Sequence, residues 1–199
     1  MESNPQAILE LARKRGLIRP RDLEPLGLPR VSLTRLVRQG ALTRVGRGLY
    51  ALPDRSVSEH AALVEMARKH PRAIVCLLSA LRFHELTTQS PFKVWLAIPN
   101  KARAPQVDYP PLRIVRFSDP LLSEGVEEHL IDGVPVRITG IARTVADCFK
   151  YRNKIGLDVA LEALHDAWKG RRVGMDELWQ FAKLCRVANV MRPYLESLT

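Results

Sequence analysis

Cysteine is scarce and poorly placed for chemistry. The 199-residue chain has three, Cys76, Cys148 and Cys185, far apart and with no Cys-x-x-Cys pair. An odd, scattered set argues against a disulfide framework and against a zinc site, and it suits a reducing cytoplasm. Long hydrophobic runs are missing too. The longest apolar stretch, AIVCLLSAL, is too short to span a bilayer. The start, MESNPQAILELARKRG, is polar and then amphipathic, without the apolar centre of a signal peptide. A cytoplasmic protein with no membrane partner is expected.

The familiar enzyme motifs are absent as well. There is no GxxxxGK[ST] phosphate loop, no GxGxxG and no HExxH; His84-Glu85-Leu86 lacks the second histidine. No Gly-Ser pair or Asp-x-Asp occurs, so the polymerase-like nucleotidyltransferase pattern is missing. No Asp-x-Lys or Glu-x-Lys occurs either, which removes the usual carboxylate–lysine core of many nucleases. Ser79 lies five residues before His84 but has no glycine elbow; it reads as a helix-start or packing residue. The histidines His60, His70, His84, His129 and His165 are scattered, whereas a metal site needs three or four converging ligands. Trp95, Trp168 and Trp179 read as core residues on one strand and two helices rather than stacking platforms for bases. No catalytic residue, metal or cofactor is expected.

What the chain has in surplus is positive charge. The formal net charge is +10 and the sequence pI is about 10.0. Such an excess favours a polyanionic partner, most often nucleic acid. It is concentrated at one end: residues 1–55 carry 11 Lys+Arg against 5 Asp+Glu, and the remaining 144 carry 20 against 16. LPDRSVSEH, from Leu52 to His60, separates hairpin signals from helix signals. It divides the chain into residues 1–55 and 56–199.

Residues 1–55 read as three helices and a hairpin. Asn4 and Pro5 can open the first helix, Ile8 and Leu11 form its apolar side, and Gly16 can end it. A short second helix over Pro20 to Leu26 would bury Leu23 and Leu26, with Gly27-Leu28-Pro29 as the turn. The third would run from about Arg30 to Gln39 and stop at Gly40. Leu33, Leu36 and Val37 share its apolar face. Val31, Arg35 and Arg38 lie opposite, flanked by Ser32, Thr34 and Gln39, a chemistry suited to base edges and phosphates. ALTRV and LYAL can pair across Gly46-Arg47-Gly48, whose glycines permit positive φ. That hairpin is a wing presenting Arg47, with Arg44 nearby, to phosphates or a minor groove. The expected DNA-contacting set is Ser32, Thr34, Arg35, Arg38, Gln39, Arg44 and Arg47, on a helix-turn-helix followed by a wing.

Residues 56–199 read as a larger α+β domain. Ser56 and Glu59 form a capping box for a helix reaching about His70. AIVCLLSALRFHEL begins strand-like and becomes helical. PFKVWLAIP, LRIVRF and VPVRIT are strands, the last entered by an Asp132-Gly133 turn. KARAPQVDYPP is an irregular connection. Helices follow over about Ala142 to Tyr151, Leu157 to Trp168, and Met175 to the end with a break near Val187 to Val190. Thr144 and Asp147 suit the first turn of a helix.

LTRLVRQGALTRVGRGLYAL resembles the winged-helix segment of AbiEi-family antitoxins. CLLSALRFHELTTQSPFKVWLAIP, ITGIARTVADCF and CRVANVMRPYLESL are similar to landmarks of that family's second domain. The resemblance implies a type IV toxin–antitoxin system. It implies a repressor that binds inverted repeats in double-stranded DNA at its own promoter, with two copies on one operator. The functional partner it implies is a nucleotidyltransferase-like toxin, opposed without need of a stable complex. Two other classes compete with this reading. One is a restriction-like DNA-processing enzyme with a winged-helix targeting domain. The other is a one-component regulator whose second domain binds a ligand.

Overall fold

The computed structural model describes residues 4–54, 59–107 and 110–198. The side chain of Asn4 and Ser56, both expected to cap helices, lie outside the described residues. The chain packs as two units: Met1–Lys69 with Leu130–Pro135, and His70–His129 with Val136–Thr199. It is a mixed α+β protein, with a helix-turn-helix-like region followed by a larger α+β portion.

The first unit opens with α1 (Asn4–Arg15), which ends on Arg13, Lys14 and Arg15, where cations favour the carbonyl end of a helix. The second helical segment, Pro20–Leu26, is a 3-10 helix. Leu23 is fully buried, but Leu26 is 49% exposed, contrary to the sequence expectation. The reason is the helix end. Gly27 turns left-handed at φ 64, and the Leu28 amide donates back to the Leu23 carbonyl at 3.1 Å. This closure sends Leu28, not Leu26, against the core.

Next come α2 (Val31–Arg38), β1 (Thr43–Gly46) and β2 (Leu49–Ala51). The unit's core is Ile8, Ala12, Ile18, Leu23, Leu33, Leu36 and Leu42. The helix α3 (Ala61–Lys69) also belongs to this unit. Its Arg68 pairs with Asp22 at 2.5 Å, 46 positions away in sequence. The expected division at 55/56 therefore differs from the packing division after Lys69. A long-range ion pair assigns the helix, and no local signal could have done so.

A five-stranded sheet of order β5-β4-β3-β7-β6, all but the Leu130–Pro135 tip of its last hairpin, is the base of the larger unit. The strands are β3 (Ile74–Val75), β4 (Val94–Pro99), β5 (Leu112–Phe117), β6 (Val126–Ile131) and β7 (Val134–Thr139). β3 runs antiparallel to β4 and parallel to β7, and β4 runs parallel to β5. Asp132 and Gly133, at φ 49 and 72, give the two positive-φ residues of a tight hairpin turn. β6 was not anticipated; its glutamates and histidine are half-buried or exposed, so it lacks an apolar alternation.

Helices cover this sheet: α4 (Leu77–Phe83), α5 (Ile141–Lys150), α6 (Arg152–Ile155), α7 (Leu157–Lys169), α8 (Met175–Leu184) and α9 (Ala188–Glu196). The break expected near Val187 falls between α8 and α9. Eight consecutive residues of α5, Ala142 to Phe149, are buried, so this helix is central rather than amphipathic. Among the described residues no helix is long and apolar enough to cross a membrane.

Candidate nucleic-acid interface

α2 takes its place because Leu33 and Leu36 are buried at helical spacing, 0% and 3% exposed. Gly40 stops it in a left-handed turn at φ 71, with the Ala41 amide returning to the Leu36 carbonyl at 3.0 Å. The opposite face is thereby turned to solvent. Thr34, Arg35, Arg38 and Gln39 are exposed, while Ser32 is half-buried.

The hairpin follows within four residues of that stop. Thr43 faces Ala51, Arg44 faces Tyr50 and Gly46 faces Leu49, so Val45 is an extra residue that bulges the first strand. Of the two tip glycines only Gly48 uses positive φ, at 69. The loop is thus Arg47-Gly48, and Arg47 stands exposed at its tip. Arg44 is exposed on the strand, its Nε donating to the Gly46 carbonyl at 3.4 Å. The wing is anchored from its other side. Ile18 and Tyr50 exchange backbone hydrogen bonds of 2.9 and 3.0 Å, which adds a third extended segment between α1 and the 3-10 helix. Ile18 was missed in the sequence; the apolar pair Leu17-Ile18 between Gly16 and Pro20 was its only signal.

Several cations of this unit are paired. Arg30 is held by Glu24, Arg15 and Arg68 by Asp22, and Lys69 by Glu65. Arg35, Arg38, Arg44 and Arg47 have no carboxylate partner among the described residues. Four unneutralised guanidinium groups on one helix face and the wing behind it form a source of positive potential. Phosphates would neutralise it with release of counterions.

The larger unit buries a small cluster of polar groups. Arg143 and Asp147 of α5 are both 0% exposed and pair at 3.1 Å. Arg143 also donates to the carbonyls of Glu124 and Leu121, and its guanidinium lies 5.0 Å from the Phe117 ring centre. Asp147 takes a further hydrogen bond from Cys185 Sγ at 3.4 Å. Burial pushes the Asp147 carboxyl above its ordinary value, against the pull of Arg143. Thr144 lies in the first turn of α5, as expected, whereas Asp147 lies one turn further on; both are fully buried. Thr144 Oγ1 donates to the Thr139 carbonyl at 2.9 Å and so must accept from Thr139 Oγ1 at 2.7 Å. Ser79 Oγ accepts the Trp95 amide at 2.9 Å, which is a packing role. The three cysteines are free and buried, and burial pushes the Cys185 thiol up to about 12. Among the described residues no group of three or more His, Cys, Asp or Glu side chains is placed to hold a metal ion.

His84 is 6% exposed, and its Nε2 contacts the Thr139 carbonyl at 2.7 Å. A carbonyl only accepts, so Nε2 carries the hydrogen. Burial lowers the His84 pKa. The Thr139 carbonyl and Glu127 oppose that shift, while His129 and Arg172 reinforce it. The sign of the pH effect follows. With a folded pKa below the unfolded one, the unfolded chain takes up the proton first. The stability His84 contributes is complete above its ordinary pKa and is lost as pH falls through the depressed value. The unfolding midpoint of this unit, read by tryptophan fluorescence, should drop as pH falls below the ordinary imidazole range. His84→Gln should flatten that slope; an unchanged slope would place the acid sensitivity elsewhere.

Residues 6–53 match the profile of a family described as "Transcriptional regulator, AbiEi antitoxin". The match covers most of α1, the turn, α2 and the wing, so the resemblance read in the sequence holds over this segment. Among solved structures, the crystal structure of the RV2827C protein from Mycobacterium tuberculosis is similar, with a TM-score of 0.58 at 14% sequence identity. That likeness covers 92% of this chain and 72% of the other. At such identity it is a likeness of fold. No match was found among curated proteins.

Proposed function

We propose, taking the match of residues 6–53 to AbiEi antitoxin regulators as the premise, that this chain is a cytoplasmic DNA-binding antitoxin that represses its own operon. In this reading it binds inverted repeats in double-stranded DNA and counteracts a nucleotidyltransferase-like toxin of a type IV system. It needs no stable complex with the toxin and performs no catalysis of its own.

The observation that carries the reading is the unpaired cationic face. Arg35 and Arg38, with Ser32, Thr34 and Gln39, occupy the helix that enters the major groove in a helix-turn-helix. Arg44 and Arg47 occupy the wing, which reaches backbone or minor groove.

An inverted repeat presents two equivalent half-sites, so it takes two readers about one helical turn, or a multiple of it, apart. Mobility-shift titration on DNA from upstream of the reading frame should saturate at two copies per operator. Saturation at one copy would sink the inverted-repeat arrangement. A co-expression assay tests the second half of the proposal. The chain should relieve the growth arrest caused by an adjacent nucleotidyltransferase-like gene product, and failure to do so would remove the antitoxin role while leaving the repressor role.

A further inference from the structure

We infer that Val31 reads a thymine methyl group near the base pair addressed by Arg35, which makes the favoured DNA a half-site with thymine within about two base pairs of a guanine. The inference rests on the DNA-binding reading above and adds the base class at one position.

Val31 is the first residue of α2 and is 62% exposed. Folding gives it no task. The core beneath the helix is filled by Leu33 and Leu36, and Val31 does not belong to it. A β-branched side chain also lowers the helix preference of an exposed position compared with alanine. Scattered surface hydrophobics need no explanation in general. This one stands at the N-terminal end of the helix, the end whose side chains meet base edges in a helix-turn-helix. It is also in line with Arg35 and Arg38, at spacings of four and seven residues, on the face lacking any other apolar side chain.

Only one major-groove feature is apolar: the C5-methyl of thymine. Removing both a valine surface and that methyl from water is favourable, whereas a valine against the amino or carbonyl edges of the other bases leaves polar groups dry. Spacing fixes the neighbourhood. Four residues of α-helix advance about 6 Å, and base pairs stack about 3.4 Å apart, so the Val31 base lies within roughly two pairs of the one Arg35 meets. The exposed Thr34, one turn along, brings its own γ-methyl to the same strip.

The test begins with selection of tight-binding duplexes from a random pool of double-stranded DNA by the full-length protein. Each thymine of the winning duplex is then replaced, one at a time, by deoxyuridine, which deletes only the methyl. The wild-type protein should lose about four-fold in affinity per half-site at one thymine near the guanine. Val31→Ala should bind the thymine and deoxyuridine duplexes alike. Alanine is the better helix former at this exposed position, so the variant keeps its fold. If no deoxyuridine position weakens wild-type binding, or if Val31→Ala still discriminates, the inference falls. Arg35→Ala run in parallel separates this failure from that of the wider reading. A loss there with no methyl effect overturns Val31 alone, and no loss in either overturns DNA reading by α2.

Discussion

Replacing Asp147 by alanine is expected to destabilise the larger unit by about 3–5 kcal/mol, the usual consequence of stranding a buried charge. Arg143 is fully buried beneath the sheet's helices, and Asp147 is the carboxylate that balances it. Two backbone carbonyls and the face of Phe117 would remain as its partners. None of these carries a compensating charge, and the guanidinium cannot shed its proton. A loss of that size is comparable with much of the stability of an ordinary domain. The three tryptophans, Trp95, Trp168 and Trp179, all lie in this unit, so fluorescence in a urea titration reports on it selectively. Removing both partners should hurt less than removing one. In Arg143→Met/Asp147→Leu, apolar groups replace the pair and no charge is left behind. A single variant within about 1 kcal/mol of wild type, or a double variant worse than the single, would show that the pair is not the electrostatic support described here.

This pair also marks where reading the sequence stops. Arg143 and Asp147 stand four apart on a helix, a spacing that fits an exposed ion pair equally well. What buries them is the position of Glu124, Leu121, Phe117 and Cys185, which approach from 19 to 38 positions away in sequence. The same limit explains the domain boundary, since Arg68 finds Asp22 only in three dimensions. It also explains Leu26, whose exposure follows from the backbone closure at Gly27. The α2 face, by contrast, was legible. Its helical period, the glycine that stops it and the glycine–arginine tip of the wing, read one residue too long as Gly46-Arg47-Gly48, are local features, set by nearest neighbours. Local chemistry thus exposes the cationic surface, and long-range packing decides which other charged residues are withdrawn from it.

That surface sets the second large effect, a divergence between two kinds of arginine. Arg35 and Arg38 project from a helix face whose other members are hydroxyls and an amide, and neither is held by a carboxylate among the described residues. Arginine meeting guanine in the major groove bonds to two acceptors at once, and its loss typically costs ~1–3 kcal/mol at one base pair with relaxed specificity. Arg35→Ala and Arg38→Ala should therefore lower the ratio of operator to scrambled-duplex affinity by roughly five- to 150-fold. Arg47 stands on a tight loop that Gly48 holds at φ 69, a poor place from which to reach a base edge in the major groove. Under the proposed reading its main contact would be with phosphate. Arg47→Ala should weaken operator and scrambled DNA together and reduce the slope of log affinity against log salt by about 0.9. Binding of each variant to both duplexes across a salt series separates the cases. A narrow, A·T-rich minor groove beneath the wing would add a shape term, visible as an Arg47 loss that depends on flanking sequence. If the helix and wing variants fall by the same factor on both duplexes, α2 supplies charge without reading bases. If none of them changes binding, neither α2 nor the wing touches DNA.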